Sequence, residues 1–173
     1  GGRVYLRRYF VHERRLARAL RRMALHRPGL EPDAATRLKP LLDQIFPADQ
    51  GPGNLGQKLG VGLALGNTLT LLSGGPGTGK TTTVVALLAS LLFLHPHLRI
   101  GLAAPTGKAA ARLLEAIAER REALTRWLPP ESLAGFPASA STVHGLLGVK
   151  EQGGFHHHQN NPLLLDVLRS EEH

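Results

Sequence analysis

One octapeptide constrains this chain more than any other stretch: Gly74-Gly75-Pro76-Gly77-Thr78-Gly79-Lys80-Thr81. It fits G-x-x-x-x-G-K-[ST], the phosphate-binding P-loop. Thr68-Leu69-Thr70-Leu71-Leu72 before it is short, apolar and β-branched, which predicts a buried strand. Thr81 to Leu94 after it is apolar and free of Gly and Pro, which predicts a helix. Strand, glycine turn and helix N-terminus together make an anion site. The backbone N–H groups of Gly77, Thr78 and Gly79 can converge on a phosphate, and the helix dipole favours its charge. Lys80 then reaches the β- and γ-phosphates, and the Thr81 hydroxyl holds Mg²⁺. The rival reading is a glycine-rich turn with a chance lysine. Eight residues at fixed spacing in a strand–helix frame disfavour it.

The chain has 173 residues, enough for one domain with a core and a small appendage. It has no cysteine, which excludes disulfides and thiolate metal sites and fits a reducing, cytoplasmic setting. No signal peptide is expected, and the longest apolar run, Val84 to Leu94, is too short to cross a membrane. The formal charge is +8, and it is unevenly placed: residues 1–27 hold nine arginines against one acid, Glu13. The remainder is balanced. A local basic surface points to a polyanion or an acidic protein partner.

Val4 to Phe10 reads as a short strand. From Glu13 to Leu25, Leu16, Leu20, Met23 and Ala24 recur at helical spacing among arginines, until Pro28 and Gly29 stop the helix. The arginines are either a solvated face or a binding face. Asp33 is a candidate N-cap for a second helix, which Pro40 is expected to split. Pro47 to Gly53 is turn-rich and marks the boundary between a helical N-terminal unit, residues 1–50, and a nucleotide domain, residues 51–173. Leu55 to Leu65 reads as a glycine-bearing helix. His95-Pro96-His97 is a turn, Arg99 to Ala104 a second buried strand and Gly107 to Leu124 a helix. Strand–helix–strand–helix order implies an α/β fold, a parallel sheet with flanking helices. Trp127 to Ser139 reads as a loop. Ser141 or Thr142 caps a short element, and Leu163-Leu164-Leu165 begins another strand.

Ala104-Pro105-Thr106-Gly107-Lys108-Ala109-Ala110-Ala111-Arg112-Leu113 repeats the strand–turn–helix design. Thr106 and Lys108 then fall on the ligand-binding edge of an open α/β sheet, and Lys108 and Arg112, four apart, can face one ligand. Taken alone, the two cations also suit an ordinary helix start.

These two motifs, followed by Ser141-Thr142-Val143-His144-Gly145-Leu146-Leu147-Gly148, resemble three successive motifs of the RecD helicases. Tyr5-Leu6-Arg7-Arg8-Tyr9 and Asn161-Pro162-Leu163-Leu164-Leu165-Asp166-Val167-Leu168 are similar to RecD chains as well. RecD is the α subunit of exodeoxyribonuclease V, a superfamily 1 DNA helicase of double-strand-break repair and recombination. The resemblance implies a RecA-like P-loop NTPase domain that uses ATP and Mg²⁺. It implies nucleotide contacts from Gly74 through Thr82, with Lys80 and Thr81 serving the chemistry. Gln57, or its rival Gln50, would read adenine through its amide. Thr106, Lys108, Thr142 and His144 would touch single-stranded DNA; His144 also suits a packing or capping role. RecB- and RecC-type subunits are the implied partners, with residues 1–27 as the docking segment. No membrane association is implied.

RecD chains continue from the leucine stretch into a strand ending in Asp-Glu, the Walker B element. Here Asp166-Val167 imitates it imperfectly, and Glu171 and Glu172 follow Arg169-Ser170 off any expected strand. The expectation is therefore an N-terminal portion of a helicase subunit, truncated before Walker B and inactive in hydrolysis and unwinding by itself. His156-His157-His158 is read as a solvated loop in preference to a metal site. Two other readings stay open. One is a small-molecule kinase, for which no acceptor-binding acid or lid is apparent. The other is a binding module without turnover.

Overall fold

The computed structural model describes residues 6–47, 52–75 and 77–170. Pro76, Gln50, Val4, Tyr5, Glu171 and Glu172 lie outside them. The chain forms two compact units, residues 1–80 and 81–173.

In the first unit, α1 (Arg7–Leu25), α2 (Ala34–Ile45) and α3 (Pro52–Leu65) follow in order. The expected strand at Val4–Phe10 is not formed in its described part: Arg7 to Phe10 are the first turn of α1. Helical spacing accounts for the difference. Arg14 lies over the Phe10 ring at 5.5 Å, an i,i+4 cation–π pair that only a helix brings together. Pro40 does not split α2, which runs through it as one helix. Leu38 and Leu41, buried on either side of Pro40, hold both halves in the core and offset the lost ladder bond. Asp33 makes no side-chain cap bond, and its carboxylate approaches Arg37 at 3.8 Å instead. Asp43 on α2 accepts from Lys39 and from Lys58 of α3, each at 2.5 Å, and Asn54 Nδ2 donates to Pro47 O at 2.7 Å. These contacts fix α3 against α2.

Thr68–Leu72 does not form the expected buried strand. It joins no ladder among the described residues, and Leu71 is 87% exposed. Apolar β-branched composition suits a sheet, but it does not specify which strand to pair with.

The second unit holds a parallel sheet. The P-loop helix α4 (Lys80–Leu94) leads to β1 (Ile100–Ala104), α5 (Gly107–Ala123), α6 (Pro130–Ala134), β2 (Ser141–Thr142), α7 (Val143–Leu147) and β3 (Val167–Ser170). The strand order is β2-β1-β3, with every pair parallel. Ala103 and Ala104 face Ser141 and Thr142, while Ile100 to Ala103 face Val167 to Ser170. This is the expected α/β architecture: a central strand buried on both faces and flanked by helices. α4 is apolar almost all round and correspondingly buried, with Leu88 and Leu92 fully enclosed. Each such leucine contributes about 1.5–3 kcal/mol of burial.

Trp127–Ser139 is not simply a loop. Pro130 opens α6, where a missing N–H costs nothing, and the buried Ser132 hydroxyl donates to Leu92 O at 2.9 Å. The last strand begins at Val167, two residues beyond Leu163-Leu164-Leu165. Leu165 packs instead at Gly101, where a Cβ would lie 2.4 Å from its Cδ1.

Asp166 owes its place to a clasp across the strand starts. Its carboxylate accepts Arg99 Nε and Nη2, both at 3.0 Å, and the Arg99 backbone N–H at 2.8 Å. Asp166 N donates back to Arg99 O at 2.9 Å. The Arg99 guanidinium and backbone N–H hold the Asp166 carboxyl down at about 2, against an ordinary 3.8. A depressed acid contributes stability that is present above its ordinary value and is lost as pH falls through the folded value. Asp166→Asn should therefore melt lower than wild type at neutral pH, with the gap closing between about pH 4 and pH 2. A gap that stays constant across that range would show that the clasp does not depend on charge.

Candidate phosphate and nucleic-acid site

The glycine turn has the backbone its motif requires. Gly77 and Gly79 have φ of +76° and +77°, which L-side chains rarely adopt. A Cβ at Gly79 would lie 2.1 Å from Gln57 Nε2. Gln57 reaches the turn from α3 and donates its amide to Thr78 O at 3.0 Å. Thr78 Oγ1 donates to Gly75 O at 2.8 Å. Lys80 Nζ folds onto the same loop, donating to Gly74 O and, at 3.2 Å, to Gly75 O. Gly74, Gly75, Gly77, Thr78, Gly79, Lys80 and Gln57 are thus brought together. The loop is exposed, so a phosphate can exchange with those internal acceptors. A cradle with two positive-φ glycines and an ammonium directed at it fits a nucleotide's phosphates.

Lys80 and Thr81 open α4. Within the second unit Thr81 lines an open cleft of about 360 Å³ with Thr106, Lys108, Arg112 and Ala116 of the α5 region. Parallel pairing explains the grouping. β1 ends at Ala104 beside Thr142 of β2, so both chains turn out at one sheet edge. That edge carries Thr106, Thr142 and His144, as the motif positions require. The hydroxyls also have local duties: Thr106 Oγ1 caps α5 by accepting Ala109 N at 3.2 Å, and Thr142 Oγ1 caps α7 by accepting Gly145 N at 2.9 Å. The question left between Ser141 and Thr142 is settled for Thr142. His144 is exposed, and its ring meets Phe155 at 6.0 Å, an aromatic contact compatible with a free imidazole edge. Thr82 accepts from Arg120 Nε at 3.2 Å.

The three histidines do not converge. His156 and His157 donate backbone N–H to Gly148 O and Leu147 O, and His158 Nδ1 accepts Asn160 N. Among the described residues no group of three or more metal-binding side chains exists.

Two features escaped the sequence. Arg120 lies in register with Lys108 and Arg112, at steps of four along α5, and the stripe 108-112-116-120 was its only signal. β3 was the other. Asp166 clasps Arg99 where the strands begin, at the end of the sheet opposite Thr106 and Thr142. Asp166-Val167, which imitates Walker B only imperfectly, serves this clasp.

A parallel sheet, a glycine cradle and a hydroxyl directly after the lysine define a P-loop NTPase domain. The chain belongs to the AAA domain family, whose model matches residues 57–171. Its similarity to RecD spans almost every residue: 38% identity to the RecBCD enzyme subunit RecD of Mycolicibacterium smegmatis, covering 99% of this chain and 30% of that protein. The RecD subunit of Haemophilus influenzae is 41% identical over 76% of this chain and 21% of its own length. The ATP-dependent RecD2 DNA helicase of Deinococcus radiodurans is 42% identical over 62% of this chain and 12% of its own length. The chain thus corresponds to a RecD portion, as the motifs imply, and spans less than a third of these relatives. No helix among the described residues is long and apolar enough to cross a membrane.

Proposed function

We propose that this chain is the ATP-binding part of an ATP-dependent DNA helicase subunit of the exodeoxyribonuclease V type, working in the cytoplasm in double-strand-break repair and recombination. One observation carries the reading. The hydroxyl that follows the P-loop lysine shares a cleft with the residues of the second motif, Thr106 and Lys108. A phosphoryl-transfer domain that responds to DNA needs that proximity.

The roles follow from chemistry. Gly74 through Thr82 hold the nucleotide, with Lys80 supplying charge to its phosphates. The Thr81 hydroxyl is a hard oxygen donor suited to Mg²⁺. Mg²⁺, when bound, neutralises the phosphate charge that develops in hydrolysis. Gln57 adjoins the turn and keeps its amide oxygen for an adenine edge. Thr106, Lys108, Thr142 and His144 meet the backbone of single-stranded DNA. Residues 1–50 form a partner-docking unit and residues 51–173 the first part of the motor domain. RecB- and RecC-type subunits are the partners. In support, α1 leaves Leu16, Leu20 and Met23 exposed among its arginines, an apolar seam that phosphate binding would not need. Deleting residues 1–27 should abolish assembly with those subunits, and undiminished co-purification would refute the docking role.

The direct test is titration of a labelled single-stranded oligonucleotide at several salt concentrations. Lys108→Ala should weaken binding and lower the slope of log affinity against log salt by about 1. A chain that bound neither oligonucleotide nor MgATP would overturn the reading.

A further inference from the structure

α5 carries Lys108, Arg112, Ala116 and Arg120 at successive steps of four, so neighbours in the series meet and the four form one inclined row on the helix. The first three line the cleft with Thr81. The fourth, Arg120, donates Nε to Thr82 Oγ1 at 3.2 Å. Ala116 has only a methyl group, which leaves room where Thr81 enters the cleft. This row, which winds about 40° round the helix at each step, therefore follows the first turn of α4. The end of α5 near Lys108 belongs to the sheet edge proposed for DNA. Arg120 lies a further roughly 18 Å along the helix axis, at 1.5 Å per residue.

We propose that Arg120 is a positioning residue that couples the two ligands. By holding Thr82, the second residue after Lys80, it makes α5 a strut between the DNA edge and the first turn of the P-loop helix. A phosphodiester that draws on Lys108 and Thr106 shifts the helix that Arg120 anchors, and Thr82 moves with it. The inference rests on the function proposed above, and it assigns a role to a residue outside the three motifs. An arginine suits the role because its planar fork keeps one N–H on Thr82 while four others remain free. The bland alternative is a cation in the last turn of a helix, where the dipole favours it. Arg121 meets that description equally well but lies about 100° round the helix, off the stripe. It is the matched control.

The measurement is the affinity of the full chain for a non-hydrolysable MgATP analogue, with and without a saturating single-stranded oligonucleotide. The ratio of the two affinities is the coupling, and by linkage the oligonucleotide's affinity changes by the same factor. In wild type the ratio should be at least about fivefold, the lower range for coupled sites. Arg120→Ala should bring it to about 1 while each ligand still binds alone, and Arg121→Ala should leave it at the wild-type value. Thr82→Val should remove the coupling as well, and adding it to Arg120→Ala should cause no further change, because the two act through one bond. Thr82→Val carries the test if Arg120→Ala melts abnormally. A wild-type ratio of 1, or an Arg120→Ala ratio equal to wild type, overturns the proposal. Binding of both ligands with unchanged coupling refutes Arg120 alone; binding of neither refutes the function reading itself.

Discussion

Lys80→Ala should bind MgATP about 30-fold more weakly than wild type, a loss on the order of 2 kcal/mol. Its ammonium donates to Gly74 O and Gly75 O of the turn. A phosphate oxygen is a stronger acceptor than either carbonyl, so the ammonium gains when it exchanges them. The variant loses that gain and little else. Gly74 and Gly75 are exposed, so water satisfies their carbonyls once the lysine is gone. Melting without nucleotide should therefore barely change. The contrast appears on adding ligand. At 100 times the wild-type Kd, nucleotide stabilises wild type by about 2.7 kcal/mol, and the same concentration should stabilise the variant by less than about 1 kcal/mol. Equal affinities by calorimetric titration would remove Lys80 from the phosphate site. Equal affinities together with a lower melting temperature would give it a purely structural role.

What the sequence made legible follows a physical pattern. Features set by neighbours in the chain were readable. The P-loop turn, α4, β1 and α5 depend on spacing, glycine and apolar period, and they stand where those signals put them. Features set by distant partners were not. Thr68–Leu72 has strand composition, but composition does not name an edge to pair with. Pro40 carries a local breaking signal that burial of Leu38 and Leu41 outweighs. Asp166 beside three leucines imitated a Walker B acid only imperfectly, and nothing local reveals its partner Arg99, 67 residues away in the chain. The site divides in the same way. The cradle was visible as a motif, whereas the cleft joining Thr81 to Lys108 and Arg112 exists only after α4 and α5 pack. Gln57 was placed by resemblance, and its bond to Thr78 O belongs to the packing of α3.

Thr81→Val should reduce the Mg²⁺ dependence of nucleotide affinity by about 10–100-fold, the range for losing a group that holds or orients a metal. The substitution keeps the shape of the side chain and removes the hard oxygen donor that directly follows Lys80. The Thr81 side chain lines the cleft with Thr106 and Lys108. Asp166 is the competing oxygen donor. It precedes β3 at the far end of the sheet, where Arg99 occupies its carboxylate. It therefore supplies the control. Asp166→Asn should lower stability, but it should leave the ratio of affinities with and without Mg²⁺ unchanged. Isothermal titration with MgATP and with ATP in chelator gives that ratio for each variant. A ratio lost in Asp166→Asn and kept in Thr81→Val would move the metal to the other end of the sheet and overturn the assignment.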